Sequence, residues 1–336
     1  MTIHHRAPGV RAAVAVLAVT SLLAACSTGG DDSPADPDEP GEGSADGLSI
    51  ALVVGSTSDD FYSAIECGAK TRAEELGIDF QAQGPNQWDA TLQIPIVNGI
   101  AANNPDAVII APNDDTALFG PLKEITDAGG QVVLVDTSLA DPSIAAGHIG
   151  SDYVTYGAQG AQELVAATGE EGKFLAIFAP PGVSTNDQGR EGFTEAMAAY
   201  PDIEVLEFEF SDGSAGASAA IVAATLAAHP DLTGVFTYNG GDAQGVVTAL
   251  REAGRTQDVA FVSGDAQPFQ VEQLKEGTVA ALIVQQARRM GERAVDYAVA
   301  AINGEDVPAE TAIETVVARL DNLQEPDVAE NLYAGC

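Results

Sequence analysis

The chain has 336 residues, with 14 Lys+Arg against 50 Asp+Glu and a formal charge of −36 at pH 7. A surface this acidic repels phosphate backbones and anionic lipid headgroups, which makes nucleic acid and anionic membrane surfaces poor partners.

The chain opens on a positive stretch, with Arg6 and Arg11, followed by the almost wholly apolar run Ala12–Ala25. That run falls short of the roughly 20 residues a bilayer span needs, so it predicts an export signal and not a transmembrane helix. Leu23-Ala24-Ala25-Cys26 resembles the bacterial lipobox. The resemblance implies a signal peptide over 1–26 and a diacylated Cys26, hence an extracytoplasmic protein lipid-anchored to the membrane. The alternative is an ordinary secreted protein with a cysteine at that place by chance. Residues 27–47 hold only Gly, Ser, Pro, Asp, Glu, Ala and one Thr, so nothing there can build a core, and a disordered acidic tether is predicted. Without residues 1–26, twelve basic residues face 50 acidic ones, a net charge near −38.

From Leu48 onward, short apolar runs alternate with amphipathic stretches. The predicted strands are 48–54, 78–82, 107–111, 132–136 and 146–149, then 173–179, 203–210, 234–238, 259–263 and 279–284. Helices are predicted over 62–76, 156–167, 189–199, 217–228, 243–253 and 290–302. A further helix over 92–102 contains Pro95, which should kink it or delay its start. Continuous apolar strands separated by helices predict parallel sheets covered on both faces. Two such series point to an α/β chain of two doubly wound lobes. Doubly wound sheets bind ligands beyond the carboxyl ends of their strands. The loops 55–61, 112–116, 136–140, 180–188, 239–242 and 264–268, with Gln285, should therefore line one cleft between the lobes.

Three cysteines are present, Cys26, Cys67 and Cys336. With the first lipidated, the other two can pair in an oxidising compartment. Cys67 lies about 200° around the helix from Ile65, a member of the predicted buried stripe, so it should face outward and meet the carboxy-terminal tail. A Cys67–Cys336 disulfide is expected; the alternative is two free thiols.

Enzyme motifs are scarce. No Gly-x-Gly-x-x-Gly, P-loop or Gly-x-Ser-x-Gly stands in the chain, and beyond the signal only His148 and His229 remain. No metal site, no cofactor and no catalytic residue is expected. His148 reads as a structural strand residue. The loop carboxylates Asp59, Asp60, Asp136, Asp187 and Asp265 converge on the predicted cleft. Paired acids can hydrolyse glycosides, but they equally accept hydrogen bonds from hydroxyl groups. A hydroxyl-rich ligand needs fixed acceptors, amides and an aromatic face. Asp136, Asp265, Asn239, Gln285, Phe61 and Tyr62 supply that set.

The residues from about Leu48 to Val317 resemble the type I periplasmic sugar-binding proteins, the family of the ribose-binding protein. The likeness is carried by Val53-Val54-Gly55-Ser56-Thr57 leading into Asp59-Asp60-Phe61-Tyr62, by Ala111-Pro112-Asn113-Asp114, and by Leu134-Val135-Asp136. It continues through His148-Ile149-Gly150-Ser151-Asp152, Gly189-Arg190-Glu191-Gly192-Phe193, Val235-Phe236-Thr237-Tyr238-Asn239 and Ser263-Gly264-Asp265. The resemblance implies Rossmann-like lobes joined by a three-segment hinge near 151–152, 285–286 and 314–315. The first lobe is then 48–151 plus 286–314, the second 152–285 plus 315–322, and 323–336 a tail. It further implies an aromatic sandwich at Phe61 and Tyr62 and ligand contacts at Asp136, Asn239, Asp265 and Gln285. Three positions depart from the ribose binders: Asp59 replaces an asparagine, and Thr137 and Asp187 replace arginines. The departures point away from ribose, toward another pentose, a polyol, an amine-bearing ligand or a bridging cation. Residues 180–188 also resemble the autoinducer-2-binding branch.

The expected function is capture of a sugar or polyol by hinge closure and delivery to the permease of an ABC importer, by a monomer and without chemistry. The competing readings are a sensory receptor of the same fold docking on a kinase, and a secreted glycoside hydrolase using carboxylates.

Overall fold

The computed structural model describes residue 45, residues 47–179, 181, 183–333 and 336. The expected signal peptide, the lipidated Cys26 and nearly all of the expected tether lie outside the described residues.

The first lobe is a six-stranded, wholly parallel sheet. Its strands are β1 (Ser49–Val53), β2 (Asp79–Gln83), β3 (Ala107–Ile110), β4 (Gln131–Val135), β5 (Gly147–Ser151) and β12 (Glu310–Ile313), in the order β12-β5-β4-β3-β1-β2. The central strands are buried on both faces, which is why they read as unbroken Ile/Val/Leu/Ala runs; edge strand β2 alternates between exposed and half-buried residues. The second lobe contains β6 (Gly172–Phe178), β7 (Ile203–Val205), β8 (Glu209–Phe210), β9 (Gly234–Thr237), β10 (Ala260–Gly264), β11 (Ala281–Val284) and β13 (Val316–Ala318). Their order is β13-β11-β10-β9-β6-β7, with β8 also on β6 and only β13 antiparallel.

The chain crosses between the sheets three times: after β5, between β11 and the helix α9 (Ala287–Ile302) that follows it, and between β12 and β13. The three crossings form the hinge. Helices cover both faces: α1 (Asp60–Leu76), α2 (Ala90–Ala101), α3 (Phe119–Asp127) and α9 (Ala287–Ile302) in the first lobe. The second carries α4 (Tyr153–Thr168), α5 (Ser184–Met197), α6 (Ala215–Ala228), α7 (Ala243–Glu252) and α8 (Pro268–Lys275), and α10 (Pro326–Ala329) lies in the tail.

Three expectations are corrected. Of the two effects expected of Pro95, the delayed start does not occur: α2 starts at Ala90 because the Asp89 side chain accepts the Thr91 N–H at 2.7 Å and sets the helix start upstream. The single strand expected over 203–210 is two. Gly172 pairs with Ile203 but Ile177 pairs with Glu209, so one extra residue intervenes, a β-bulge that interrupts the ladder. Cys67 does not face outward; it is 3 % exposed. The cause is the seam between α1 and α9, where backbones touch. A Cβ on Gly68 would lie 2.0 Å from the Arg288 carbonyl oxygen, and one on Gly291 2.0 Å from that of Ile65. Cys67, next to Gly68, is drawn into that seam, where the Arg288 guanidinium approaches its sulfur at 3.0 Å. The disulfide itself is present: Cys67 is bonded to Cys336, with 5.5 Å between the two Cα atoms.

Candidate ligand-binding site

Both sheets aim the carboxyl ends of their strands at one cleft. In each, strand order reverses beside the first strand, between β1 and β3 and between β6 and β9. Loops diverge at such a switch point and leave a crevice. Asparagines bridge both crevices. The Asn113 amide donates to the Gly55 carbonyl at 2.9 Å, and the side chains of Asn186 and Asn239 meet at 3.4 Å.

Asp59 caps α1 with its Oδ1, accepting the Phe61 N–H at 3.0 Å, and the same oxygen accepts from Gln267 of the second lobe at 3.0 Å. Because Asp59 starts the helix, Phe61 and Tyr62 fall in its first turn, buried at the cleft, with ring centroids 5.1 Å apart. The Tyr62 hydroxyl donates to Asp136 Oδ2 at 2.7 Å. From the second lobe, the Tyr153 hydroxyl approaches Asp136 Oδ1 at 3.0 Å and its carbonyl at 2.9 Å. His148 Nε2 also meets that carbonyl at 3.0 Å, so this histidine supports the strand end. Asp265 Oδ2 accepts the Gly240 N–H at 2.8 Å, while Oδ1 accepts from Gln285 and from Tyr333, each at 3.2 Å. Gln285 is held in turn by the Ser151 hydroxyl at 2.9 Å, a bond between two hinge crossings.

Thus Asp59, Phe61, Tyr62, Asp136, Asp265 and Gln285 are joined by direct contacts or single intermediaries, and Asn239 borders them through Gly240. Two other expected residues are engaged elsewhere. The Thr137 hydroxyl donates to the Pro112 carbonyl at 2.8 Å. Asp187 pairs with Arg190 on its own helix at 2.9 Å, and its neighbour Asn186, 3 % exposed, takes the inward place. Sequence reasoning does not find Tyr153 or Tyr333, and it places Gln267 only within the cleft loop 264–268 without naming it as a contact. Tyr153 and Gln267 do follow strand ends by two or three residues, the one available signal; Tyr333 has none. Trp88 stacks on Tyr62 at 6.0 Å and 24°, and remains 44 % exposed at the cleft lip.

The electrostatics are one-sided. Burial pushes the Asp136 carboxyl up to about 6, with Asp59 adding to the rise and the Tyr62 and Tyr153 hydrogen bonds opposing it. Burial likewise lifts Asp265 to about 7, again with Asp59 adding, and raises Asp59 itself. Among the described residues, no lysine or arginine forms an ion pair with any of the three. Such a pocket accepts hydrogen bonds and offers aromatic faces, and this pairing suits a polyhydroxylated ring. Among the described residues, no group of three or more His, Cys, Asp or Glu is placed to hold a metal, and no helix is long and apolar enough to cross a membrane.

The family model for the periplasmic binding protein domain matches residues 50–306. The chain belongs to this family. Both its lobes and its hinge fall within the type I architecture. Among its relatives, the D-ribose/D-allose-binding protein of Pseudomonas aeruginosa is 30 % identical, over 80 % of this chain and 88 % of that protein. The ribose import binding protein of Salmonella typhimurium is 27 % identical, over 79 % of this chain and 88 % of that protein. Among solved structures, an ABC transporter solute-binding protein of Agrobacterium vitis bound to α-D-tagatopyranose superposes with a TM-score of 0.81 at 34 % identity, covering 85 % of this chain and 99 % of that one. One from Actinobacillus succinogenes with bound D-allose gives 0.77 at 26 % identity, covering 82 % and 98 %.

Proposed function

We propose that this periplasmic binding protein is an extracytoplasmic, lipid-anchored receptor that captures a sugar or polyol between its lobes and delivers it to an ABC importer. The observation that carries this reading is the convergence of Asp59, Asp136, Asp265 and Gln285 with the rings of Phe61 and Tyr62 at the carboxyl ends of both sheets. The family relatives that bind ribose, allose and tagatose support the ligand class.

Ligand touching both lobes makes all its contacts only when they are together, so binding shifts the open–closed population by its differential affinity. The hinge permits this with three short segments. The closed lobes then present a composite surface to the permease. No covalent step is part of this function. Anchoring through Cys26 is supported by the lipobox alone.

Within the sugar class, the lack of a cationic partner for the three acids among the described residues favours ligands rich in hydroxyl donors or bearing an amine. A thermal-shift screen of the purified protein against sugars, polyols and amino sugars tests the reading. A rise in melting temperature with at least one such compound is expected. No response across pentoses, hexoses, polyols and amino sugars at millimolar concentration would sink it.

A further inference from the structure

The carboxy-terminal tail reaches both lobes. It leaves the second lobe from β13, and α10 packs back against that strand, with Leu323 and Val328 buried. The Tyr333 N–H then donates to the Ala266 carbonyl at 3.1 Å, a second-lobe contact in the loop after β10. The side chain of the same residue is 2 % exposed. Its ring lies 5.7 Å from that of Phe61 in the first lobe, and its hydroxyl bonds Asp265 at 3.2 Å. Three residues later, Cys336 is bonded to Cys67 on α1 of the first lobe.

We infer that the Cys67–Cys336 bridge makes the tail a fourth connection between the lobes, one that limits their opening at the ligand site, and that Tyr333 is the residue by which this strap orients the Asp265 carboxylate. The inference rests on the reading of the cleft as a sugar site. The three hinge segments leave the lobes free to part at the cleft; the strap does not. While Tyr333 stays on Ala266, only residues 334–336 and the bridge link it to α1; three residues span at most about 11 Å when fully extended, and the bridge adds the 5.5 Å between its Cα atoms. Opening beyond that reach must strip Tyr333 from Ala266 and Asp265. The strap therefore couples the degree of opening to the placement of an acceptor in the site. The coupling is covalent on one side and rests on two hydrogen bonds on the other.

Small-angle scattering and sugar titration of three proteins test this: the unaltered chain, the double variant Cys67→Ser/Cys336→Ser, and Tyr333→Phe, with D-tagatose and D-allose as probes. The double variant is expected to open further without sugar. Its radius of gyration should rise above that of the unaltered protein, whose compact part should measure roughly 19 Å for about 290 residues. It should also release sugar faster and bind about tenfold or more weakly. Tyr333→Phe keeps the bridge and the ring, so its sugar-free radius should stay unchanged. Its affinity should fall about tenfold, the scale of a lost hydrogen bond to a charged group. Equal sugar-free radii for the unaltered and double-variant proteins would overturn the strap, and unchanged affinity in Tyr333→Phe would overturn the positioning role. If the double variant does not fold, Tyr333→Ala, with the bridge intact, replaces it and should also open further. Failure of the unaltered protein to bind any sugar would count against the sugar site itself, and the scattering comparison would still decide the strap.

Discussion

Asp136 and Asp265 occupy equivalent places in the two lobes. Each is the first residue beyond its strand, β4 or β10, and each adopts a left-handed backbone, with φ of 62° and 68°. Each donates its N–H at 2.8 Å to the next strand of its sheet, Asp136 to Ile149 and Asp265 to Ile283. The left-handed turn bends the chain off the strand end and aims the carboxylate into the cleft. Asp and Asn tolerate that backbone better than other residues with a Cβ. The two acids that face the cleft from opposite lobes are thus built by one device used twice.

Asparagine at either position keeps the backbone and removes the charge. Asp136→Asn and Asp265→Asn should therefore fold normally, as judged by circular dichroism. Both should lose most of the sugar-induced rise in melting temperature, because a hydrogen bond to a charged acceptor contributes about 1.5–3 kcal/mol. Full retention of the rise in both variants would remove these acids from the site.

The buried acids should contribute less stability without sugar as pH rises, partly offset by half-buried His148, whose imidazole is held below its ordinary value by desolvation and contributes in the opposite sense. Asp136 and Asp265 titrate at about 6 and about 7 when folded, against an ordinary carboxyl value of 3.8, and buried Asp242 also rises to about 6. Between roughly 4 and 7 the folded chain thus holds more protons at these groups than the unfolded chain does, and raising pH across that window removes the advantage. Thermal melts from pH 5 to 7 should show a shallower decline in Asp265→Asn than in the unaltered protein. Parallel slopes would contradict the assignment.

Sugar affinity should run the other way. Hydroxyl donors bind ionised carboxylates more strongly than neutral ones, so Kd should fall between pH 5.5 and 7.5. Isothermal titration at several pH values measures it, and a flat or opposite profile would show that these acids do not accept from the ligand in their charged form.

Trp88 is the sole tryptophan of the chain and stacks on Tyr62, the ring that bonds Asp136. Its emission should change on sugar addition, and the change should saturate with the Kd measured by calorimetry. Silence of the fluorescence while calorimetry reports binding would place the sugar away from this wall.

Backbone contact at the α1–α9 seam leaves no room for a methyl group. Gly68→Ala puts a Cβ 2.0 Å from the Arg288 carbonyl, so the helices must separate. A loss of roughly 1–3 kcal/mol is expected, read as a lower denaturant midpoint, whereas Gly99→Ala on α2, where nothing lies within 4 Å of the added carbon, should not destabilise the chain.

Local pattern carried the architecture. Apolar runs such as Val132–Val135 and Leu282–Val284 are readable as parallel strands because burial on both faces demands that every residue be apolar. Asp136 and Asp265 are readable as cleft residues because a carboxylate directly after such a run must sit at the strand's carboxyl end. The pairing of Cys67 with Cys336 follows from counting once Cys26 is set aside. The one-residue slip between β7 and β8 was not legible, since a bulge depends on the partner strand's register.

What the residue order determined by itself was therefore an α/β chain of two sheets with acids at their rims. Only the tertiary structure decided that Tyr153, Gln267 and Tyr333 join those acids, that Asp187 turns to Arg190, and that Cys67 is buried beside Arg288. These depend on which distant segments the packing of lobes, helix seam and tail brings within a few ångströms. Contacts of that kind arise from the sum of many apolar interfaces, and no periodicity along the chain records them.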